Sequence, residues 1–208
     1  MKLVAGILKH MSASVSPAGC LESLVLEELV MSELPPAVTR AAASLTCLRL
    51  DVNYCEHFVA PGPKPGSIRG LAALPLLTAL RVLEVQRFDL ACIPEELSAL
   101  TALSHICLSW GFQNTPLADL HLLGRLPSVA VLNLQYCQLA SLDGGAHGLR
   151  LLRTLVASGN PALEIPGTSP WLHQLLRLDL DIVAAVKNME LLPSLVRLGS
   201  PTQLGEGL

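Results

Sequence analysis

A leucine pattern that recurs along the chain constrains its fold more than any other feature. The pattern is Leu-x-x-Leu-x-Leu, with Val, Ile or Ala at a few positions, and seven copies lie between residues 21 and 180. The copies start at Leu21, Leu45, Leu80, Leu103, Val129, Leu152 and Leu175, and a partial copy starts at Leu195. Most starts are 23 to 26 residues apart, which indicates one structural unit repeated along the chain.

The spacing inside each copy predicts a short strand and a return segment. The fourth and sixth positions are two residues apart, so both point to one face of a strand, and the first position turns in beside them. The eleventh position is expected to re-enter the core after the turn, at Met31, Cys55, Leu90 and Leu139. Return segments such as residues 94–102 and 117–126 carry Leu at steps of three. One unit cannot bury its apolar side alone, so the units must stack.

The composition agrees with a stacked array and excludes several other classes of protein. Leu accounts for 46 of 208 residues and 51% of the chain is hydrophobic, which is too apolar for a disordered chain. Only 15% of residues are charged, and 15 Pro and 15 Gly would interrupt a coiled coil. Apolar stretches such as residues 71–80 are shorter than the ~18 residues that a bilayer span requires. A net charge of −3 gives no electrostatic reason to expect nucleic acid or acidic lipid as a partner.

The cysteines and the N-terminal residues favour a reducing compartment. No two of the six cysteines form a Cys-x-x-Cys pair, and a core of this size needs no disulfides, so we expect free thiols. Residues 1–10 hold an apolar stretch too short for a signal peptide. The protein is therefore predicted to be cytoplasmic rather than secreted.

From about Cys20 to Gln203, the sequence resembles the leucine-rich repeat family, whose consensus is LxxLxLxxNxL. Ile93-Pro94 and Ile165-Pro166 look like the (L/I)P element of the typical and plant-like subclasses. The resemblance implies an α/β solenoid, with a curved parallel sheet on its concave side and helical or irregular return segments on its convex side. Residues 20–208 would form one domain of about seven to eight repeats, and residues 1–19 an N-terminal flank or weak cap.

Two departures from the consensus predict an irregular array. The consensus Asn occurs only at Asn53 and Asn160, so the other turns must satisfy their backbone groups in another way. The other residues at this position are Leu29, Phe88, Gly111, Cys137, Val183 and Gln203. The second repeat is 35 residues long against 24 for the first, and the excess falls on a Pro/Gly-rich insertion at 60–70. This insertion is either a solvated loop on the outer side or a polyproline segment for a partner.

Sequence motifs give little support to catalysis or metal binding. The chain has no GxGxxG, GxxxxGK(S/T), HExxH or GxSxG motif. His105 and Cys107 share a strand face, but no third group that would orient them is evident. Cys47, Cys55 and His57 match no zinc spacing, since structural sites usually bring ligands in Cys-x2–4-Cys pairs. We therefore predict a protein with no enzymatic activity, no metal and no cofactor.

A cluster on the solvent-facing side of the predicted sheet is the candidate binding site. The chain has seven aromatic residues, and two of them, Trp110 and Tyr136, fall at position 8 of successive copies, beside Arg87. Surrounding them are Gln86, Ser109, Asn133, Gln135 and His105, with Phe112 at the rim. Trp, Tyr and Arg dominate the residues that contribute most to binding at protein interfaces. The alternative interpretation is that Trp110 folds over the irregular turn at Gly111.

The sequence therefore predicts a non-enzymatic protein–protein interaction module or scaffold, which binds a protein partner on its concave sheet. An association with the cytoskeleton or a cilium is one version of this role. The alternative is the ligand-sensing repeat portion of a larger receptor, immune-type protein or ubiquitin-ligase adaptor. Because the last copy stops inside a repeat, near Gln203, we also expect further repeats or domains from a longer chain or a partner.

Overall fold

Eight strands form one sheet whose spatial order follows the chain. The structure is a computed structural model, and it describes residues 10–27, 38, 40–51, 71–86, 92–109, 117–142, 148–165 and 170–181. The strands are β1 (His10–Val15), β2 (Leu21–Glu27), β3 (Cys47–Asp51), β4 (Val82–Gln86), β5 (His105–Ser109), β6 (Val131–Asn133), β7 (Thr154–Val156) and β8 (Arg177–Asp179). Strand β1 pairs antiparallel with β2, and β2 to β8 pair in parallel.

The leucine pattern sets the register of the parallel strands. The fourth positions pair directly with one another through all seven strands, as Leu24, Leu48, Leu83, Ile106, Leu132, Leu155 and Leu178. The sixth positions are buried in all seven copies of the pattern, and the first positions are buried from Leu45 onward. The predicted register is confirmed, because a slip of one residue would turn every leucine to the other face.

The described return segments contain four 3₁₀ helices of five or six residues. They span Leu71–Leu76, Glu95–Ala99, Leu120–Arg125 and Pro170–Gln174. Their leucines recur every three residues because a 3₁₀ turn contains three residues, which brings i and i+3 to one side. Leu97, Leu100 and Leu103 are all buried, and each later N–H donates to the carbonyl three residues earlier. The steps of three in the sequence therefore correspond to 3₁₀-type turns against the core.

The turn after β7 is organised by the side chain of Asn160, which is fully buried. Its Nδ2 donates to the carbonyls of Leu134 and Ala157, at 2.8 Å each. Its Oδ1 accepts the backbone N–H groups of Cys137 and Leu139, at 3.1 and 3.0 Å. One amide therefore satisfies backbone groups of two successive repeats, as expected from the consensus.

Several sequence expectations fall outside the described residues. The Pro/Gly-rich insertion at 60–70 is one, and Met31, Cys55 and Leu90 at the eleventh position are others, whereas Leu139 at the same position is buried as expected. Within the part of the chain that the structure describes, no helix is both long and apolar enough to cross a bilayer.

Candidate functional site

The strands expose one side of the sheet, which we call the open face. It is formed by the strand residues that alternate with the buried leucines, and these lie in rows across the sheet. One row reads Val25, Arg49, Glu84, Cys107, Asn133, Val156 and Asp179. The residues two positions further along include Asp51, Gln86 and Ser109, which also pair with one another. Parallel pairing places equivalent side chains on the same side of the sheet, and most of the residues at these positions are polar.

A chain of hydrogen bonds between neutral side chains crosses the centre of the open face. Asn133 Nδ2 donates to Gln135 Oε1 at 3.1 Å, and the backbone N–H of Gln135 donates to Asn133 Oδ1 at 3.0 Å. Gln135 Nε2 in turn donates to Ser158 Oγ, in the next repeat, at 2.9 Å. All three residues are half-buried. We call Asn133, Gln135 and Ser158 the amide strip.

Charged residues lie on both sides of the amide strip. Two ion pairs, Arg49–Glu84 and Arg177–Asp179, each join residues of the open face. Arg49 Nε is 3.2 Å from Glu84 Oε2, which joins neighbouring strands β3 and β4. On β8, Arg177 Nε donates to Asp179 Oδ2 at 3.0 Å, and this hydrogen bond raises the pKa of Arg177. Asp179 is only 8% exposed, so the guanidinium supplies the partner that a buried carboxylate requires. The centre of the face is therefore neutral and its flanks carry both signs of charge.

Tyr136 borders the amide strip in an unusual backbone conformation. Its φ is +56°, and the equivalent residue of the next repeat is Gly159, with φ +79°. A Cβ built on Gly159 would lie 2.3 Å from Cδ1 of the Tyr136 ring, so the ring rests directly on the glycine. Tyr136 remains 38% exposed. Its ring is thus both packed on the next repeat and partly open to solvent.

The structure places the other predicted site residues at different depths. Gln86 is half-buried at the end of β4 and pairs with Ser109, which is only 2% exposed. His105 is exposed at the start of β5, opposite Val131, and its Nδ1 lies 2.9 Å from Ser104 Oγ. Arg87, Trp110 and Phe112 lie outside the described residues.

Cys107 and His105 do not form a nucleophile and base. The thiol of Cys107 donates to Ser109 Oγ at 3.4 Å, while His105 is hydrogen-bonded to Ser104. Burial is the largest influence on the Cys107 thiol and raises its pKa, and nearby Glu84 acts in the same direction. A raised pKa keeps the thiol protonated, which is the opposite of what a nucleophile needs.

The described residues also give no support to a metal centre. No group of three or more His, Cys, Asp or Glu lies close enough among them to hold an ion. Cys47 is half-buried on β3, whereas Cys55 and His57 lie outside the described residues.

Sequence reasoning missed two residues of this site, Ser158 and Gly159. Both follow predicted site residues in the rows of equivalent positions, Ser158 after Gln135 and Gly159 after Tyr136. The signal in the sequence is their small size. A small residue beside a long amide or an aromatic ring leaves room for that neighbouring side chain.

The arrangement of the repeats identifies the fold. Seven parallel strands, one from each copy of the pattern, bury the fourth and sixth positions, and a buried asparagine organises a turn at the consensus position. The chain has the fold of a leucine-rich repeat protein. Within the described residues, its solenoid carries strands on one side and 3₁₀ return segments on the other.

Comparisons with known proteins give structural likenesses only. No protein-family model matches this leucine-rich repeat chain, and no curated protein matches it. Among solved structures, internalin C2 from Listeria monocytogenes is 16% identical, with a TM-score of 0.47, over 85% of this chain and 80% of the internalin. A leucine-rich repeat protein from Leptospira interrogans is 17% identical, with a TM-score of 0.45, over 80% of this chain and 46% of that protein. A further internalin from Listeria monocytogenes is 14% identical, with a TM-score of 0.39, over 78% of this chain and 51% of its own.

Proposed function

We propose that the protein is a non-enzymatic interaction module or scaffold that binds a protein partner through the open face of its sheet. The observation that carries this proposal is the amide strip. Asn133, Gln135 and Ser158 present hydrogen-bond donors and acceptors that are already held in place by one another. Side chains ordered before binding lose little conformational entropy when a partner docks.

The distribution of charge on the open face supports a protein as the partner. Its centre is neutral, and the ion pairs Arg49–Glu84 and Arg177–Asp179 place both signs at its flanks. A nucleic acid or an acidic membrane would require an excess of positive charge. A polypeptide offers backbone amides for the strip and side chains of both signs for the flanks.

Tyr136 lies at the border of the open face and fits the role of an anchor residue for the same partner. A ring that rests on Gly159 is held in one orientation and still leaves 38% of its residue surface exposed. Rigid, partly exposed Tyr side chains contribute strongly to protein interfaces. The roles of Arg87, Trp110 and Phe112 beside it remain predictions from the sequence.

The chemistry of Cys107 supports the non-enzymatic part of the proposal. Its thiol is half-buried, has a raised pKa and bonds to Ser109 instead of to an imidazole. A cytoplasmic location, which the cysteine pattern favours, remains a prediction.

A pair of arginine variants tests the proposed face. Gln135→Arg places a long cation in the neutral centre and removes the hydrogen bond to Ser158. His121→Arg places the same side chain on an exposed 3₁₀ return segment and serves as the matched control. Affinity capture from native extract should recover a common set of partners with the wild type and His121→Arg, and Gln135→Arg should lose them. Loss with His121→Arg, or retention with Gln135→Arg, would place binding elsewhere.

A second pair of substitutions tests the aromatic border. Trp110→Ala combined with Tyr136→Ala should abolish capture, while the circular dichroism spectrum is retained and the melting temperature falls only modestly, through loss of the contact between Tyr136 and Gly159. A large loss of stability would instead make the two aromatic residues packing groups.

A further inference from the structure

Strand β1 ends the sheet with an edge that carries no neighbour among the described residues. It pairs on one side with β2, from His10 opposite Glu27 to Val15 opposite Leu21. It is the first strand in the sheet order, and no other described strand pairs with it. Successive N–H and C=O groups of a strand point to alternate edges, so about half of those in β1 point away from β2.

The four described side chains of β1, Ser12 to Val15, are open to solvent on both sides of the strand. Ser12, Ala13, Ser14 and Val15 are all exposed, and Val15 is 58% exposed. Directly opposed residues of an antiparallel pair share a face, so Ser12, opposite Val25, lies on the open face. Ala13, opposite the buried Leu24, lies on the core side. Within the part of the chain that the structure describes, the strand therefore continues both faces of the sheet and no other element covers it.

Strand β1 lacks the features that usually keep an edge strand single. Edge strands that stay unpaired commonly carry Lys, inward charges, Pro or a bulge in the middle of the strand. The segment His10–Val15 contains no Lys, Arg, Asp, Glu or Pro. Its register shift falls between Ser14 and Val15, next to the hairpin turn, and leaves the rest of the strand regular.

We propose that β1 pairs antiparallel with β1 of a second copy of this chain, about a two-fold axis. The neutrality of the edge argues for this occupant, because two copies meet without charge repulsion and the edge offers no charge to select a foreign strand. The small side chains of Ser12, Ala13 and Ser14 leave the backbones free to approach. A register centred on Ala13 places Ser12 opposite Ser14 of the second copy, where two hydroxyl groups can bond.

The symmetry has a consequence for the open face. A two-fold axis between antiparallel strands of one sheet places equivalent residues of the two copies on the same side. The two sheets therefore join into one, and the two open faces become a single surface with two amide strips. A pairing of six-residue strands buries less area than a stable interface of about 1,200 Å² or more, so the dimer is weak and forms reversibly with concentration.

Charged substitutions on β1 test the proposal. Ser12→Lys with Ser14→Lys, and separately Ser12→Glu with Ser14→Glu, place two like charges on the edge of each chain. Both residues are exposed, so the circular dichroism spectrum and melting temperature should match those of the wild type. Sedimentation velocity over rising concentration should show dimers for the wild type and monomers for each variant alone. An equal mixture of the two variants should restore the dimer, because the charges that face each other are then opposite, and salt should weaken it.

A Lys pair elsewhere supplies the control. Thr101→Lys with His121→Lys adds the same charge on exposed return segments and should leave dimer formation unchanged. Hydrogen exchange gives a second readout, since the outward N–H groups of β1 should become protected as the concentration rises. The proposal is overturned if the wild type stays monomeric at about millimolar concentration, or if either charged pair leaves the dimer intact. It is also overturned if the edge proves to capture a strand from a different protein while the wild type alone is monomeric.

Discussion

Asn160 and Cys137 occupy the same position in two successive repeats, and the backbone N–H of Cys137 donates to Oδ1 of Asn160 at 3.1 Å. The two side chains also donate to equivalent carbonyls in two successive repeats. Asn160 Nδ2 donates to the carbonyl of Leu134, and Cys137 Sγ donates to the carbonyl of Leu108, its counterpart one repeat earlier, at 3.0 Å. The thiol thus reproduces one donor function of the asparagine. This is how the turn at Cys137 satisfies a backbone group without the consensus residue.

Asn160→Ala should cause a large loss of stability. The substitution leaves the N–H groups of Cys137 and Leu139 and the carbonyls of Leu134 and Ala157 without their shared partner in a buried turn. Each orphaned buried group costs about 1 to 3 kcal/mol, so the four groups together predict a loss of at least about 4 kcal/mol. Urea unfolding followed by circular dichroism measures it.

Two further substitutions provide comparisons for the stability loss of Asn160→Ala. Cys137→Ala removes a thiol, which is a weak donor, and should cost clearly less than Asn160→Ala. Gln135→Ala removes the side-chain bonds to Asn133 and Ser158 on the half-buried open face and should cost less than Asn160→Ala, about 1 kcal/mol. Equal losses for Asn160→Ala and Cys137→Ala would show that the amide does not organise both repeats.

Gly159→Ala should destabilise the protein through two separable effects. The residue has φ +79°, a conformation that costs an L-residue about 1 to 2 kcal/mol. The new Cβ would also lie 2.3 Å from the Tyr136 ring and would push it aside. Gly19 has the same φ with nothing within 4 Å of a built Cβ, so Gly19→Ala should show the conformational cost alone.

A double-mutant cycle separates the two effects. In a Tyr136→Ala background, Gly159→Ala should cost no more than Gly19→Ala does in the wild type, because the ring that clashes is gone. Free energies of unfolding from urea titrations supply all four corners. An unchanged cost of Gly159→Ala in that background would mean that the ring does not rest on the glycine.

The parts of the fold that the sequence predicts correctly are those set by repeated apolar positions. The spacing of Leu24 from Leu48, and of their successors, determines which residues pair, because only one register buries every leucine. The role of Asn160 follows from the resemblance to the leucine-rich repeat family, whose consensus Asn bonds backbone groups in the turn. The sequence predicts helical or irregular return segments. Their leucines recur every three residues because a 3₁₀ turn contains three residues.

The candidate site was harder to predict because it depends on side-chain depth. Ser109 stands at a solvent-facing position of the pattern, yet it is buried, while Ser158 in the same row accepts a hydrogen bond from Gln135. The contact of Tyr136 with Gly159 depends on two positive φ angles, which the position of a residue in a repeat does not reveal. The periodicity of the sequence predicts the side of the sheet on which a residue lies. The exposed fraction of its side chain depends on the side chains of the neighbouring repeats.

Cys107 should react slowly with alkylating agents, and its reactivity should rise at a higher pH than that of an ordinary thiol. Burial raises its pKa, with a further contribution from Glu84, and the hydrogen bond to Ser109 opposes the shift without cancelling it. Cys20 and Cys92 are exposed and provide internal references for access. Iodoacetamide labelling with peptide mapping should find both modified before Cys107, and Cys107 modified first would contradict its burial.

The same raised pKa makes stability depend on pH in a defined direction. Below the ordinary thiol pKa of about 8.5, the folded and unfolded states both hold the proton, so the contribution to stability is fully present. As the pH rises beyond that value, the unfolded chain releases the proton before the folded one, and the free energy of unfolding falls until the folded pKa is passed. Cys107→Ser removes this titration and should give a flatter profile between pH 8 and pH 10 than the wild type, measured by urea unfolding in matched buffers. An identical slope for the two proteins would show that Cys107 ionises equally in the folded and unfolded states.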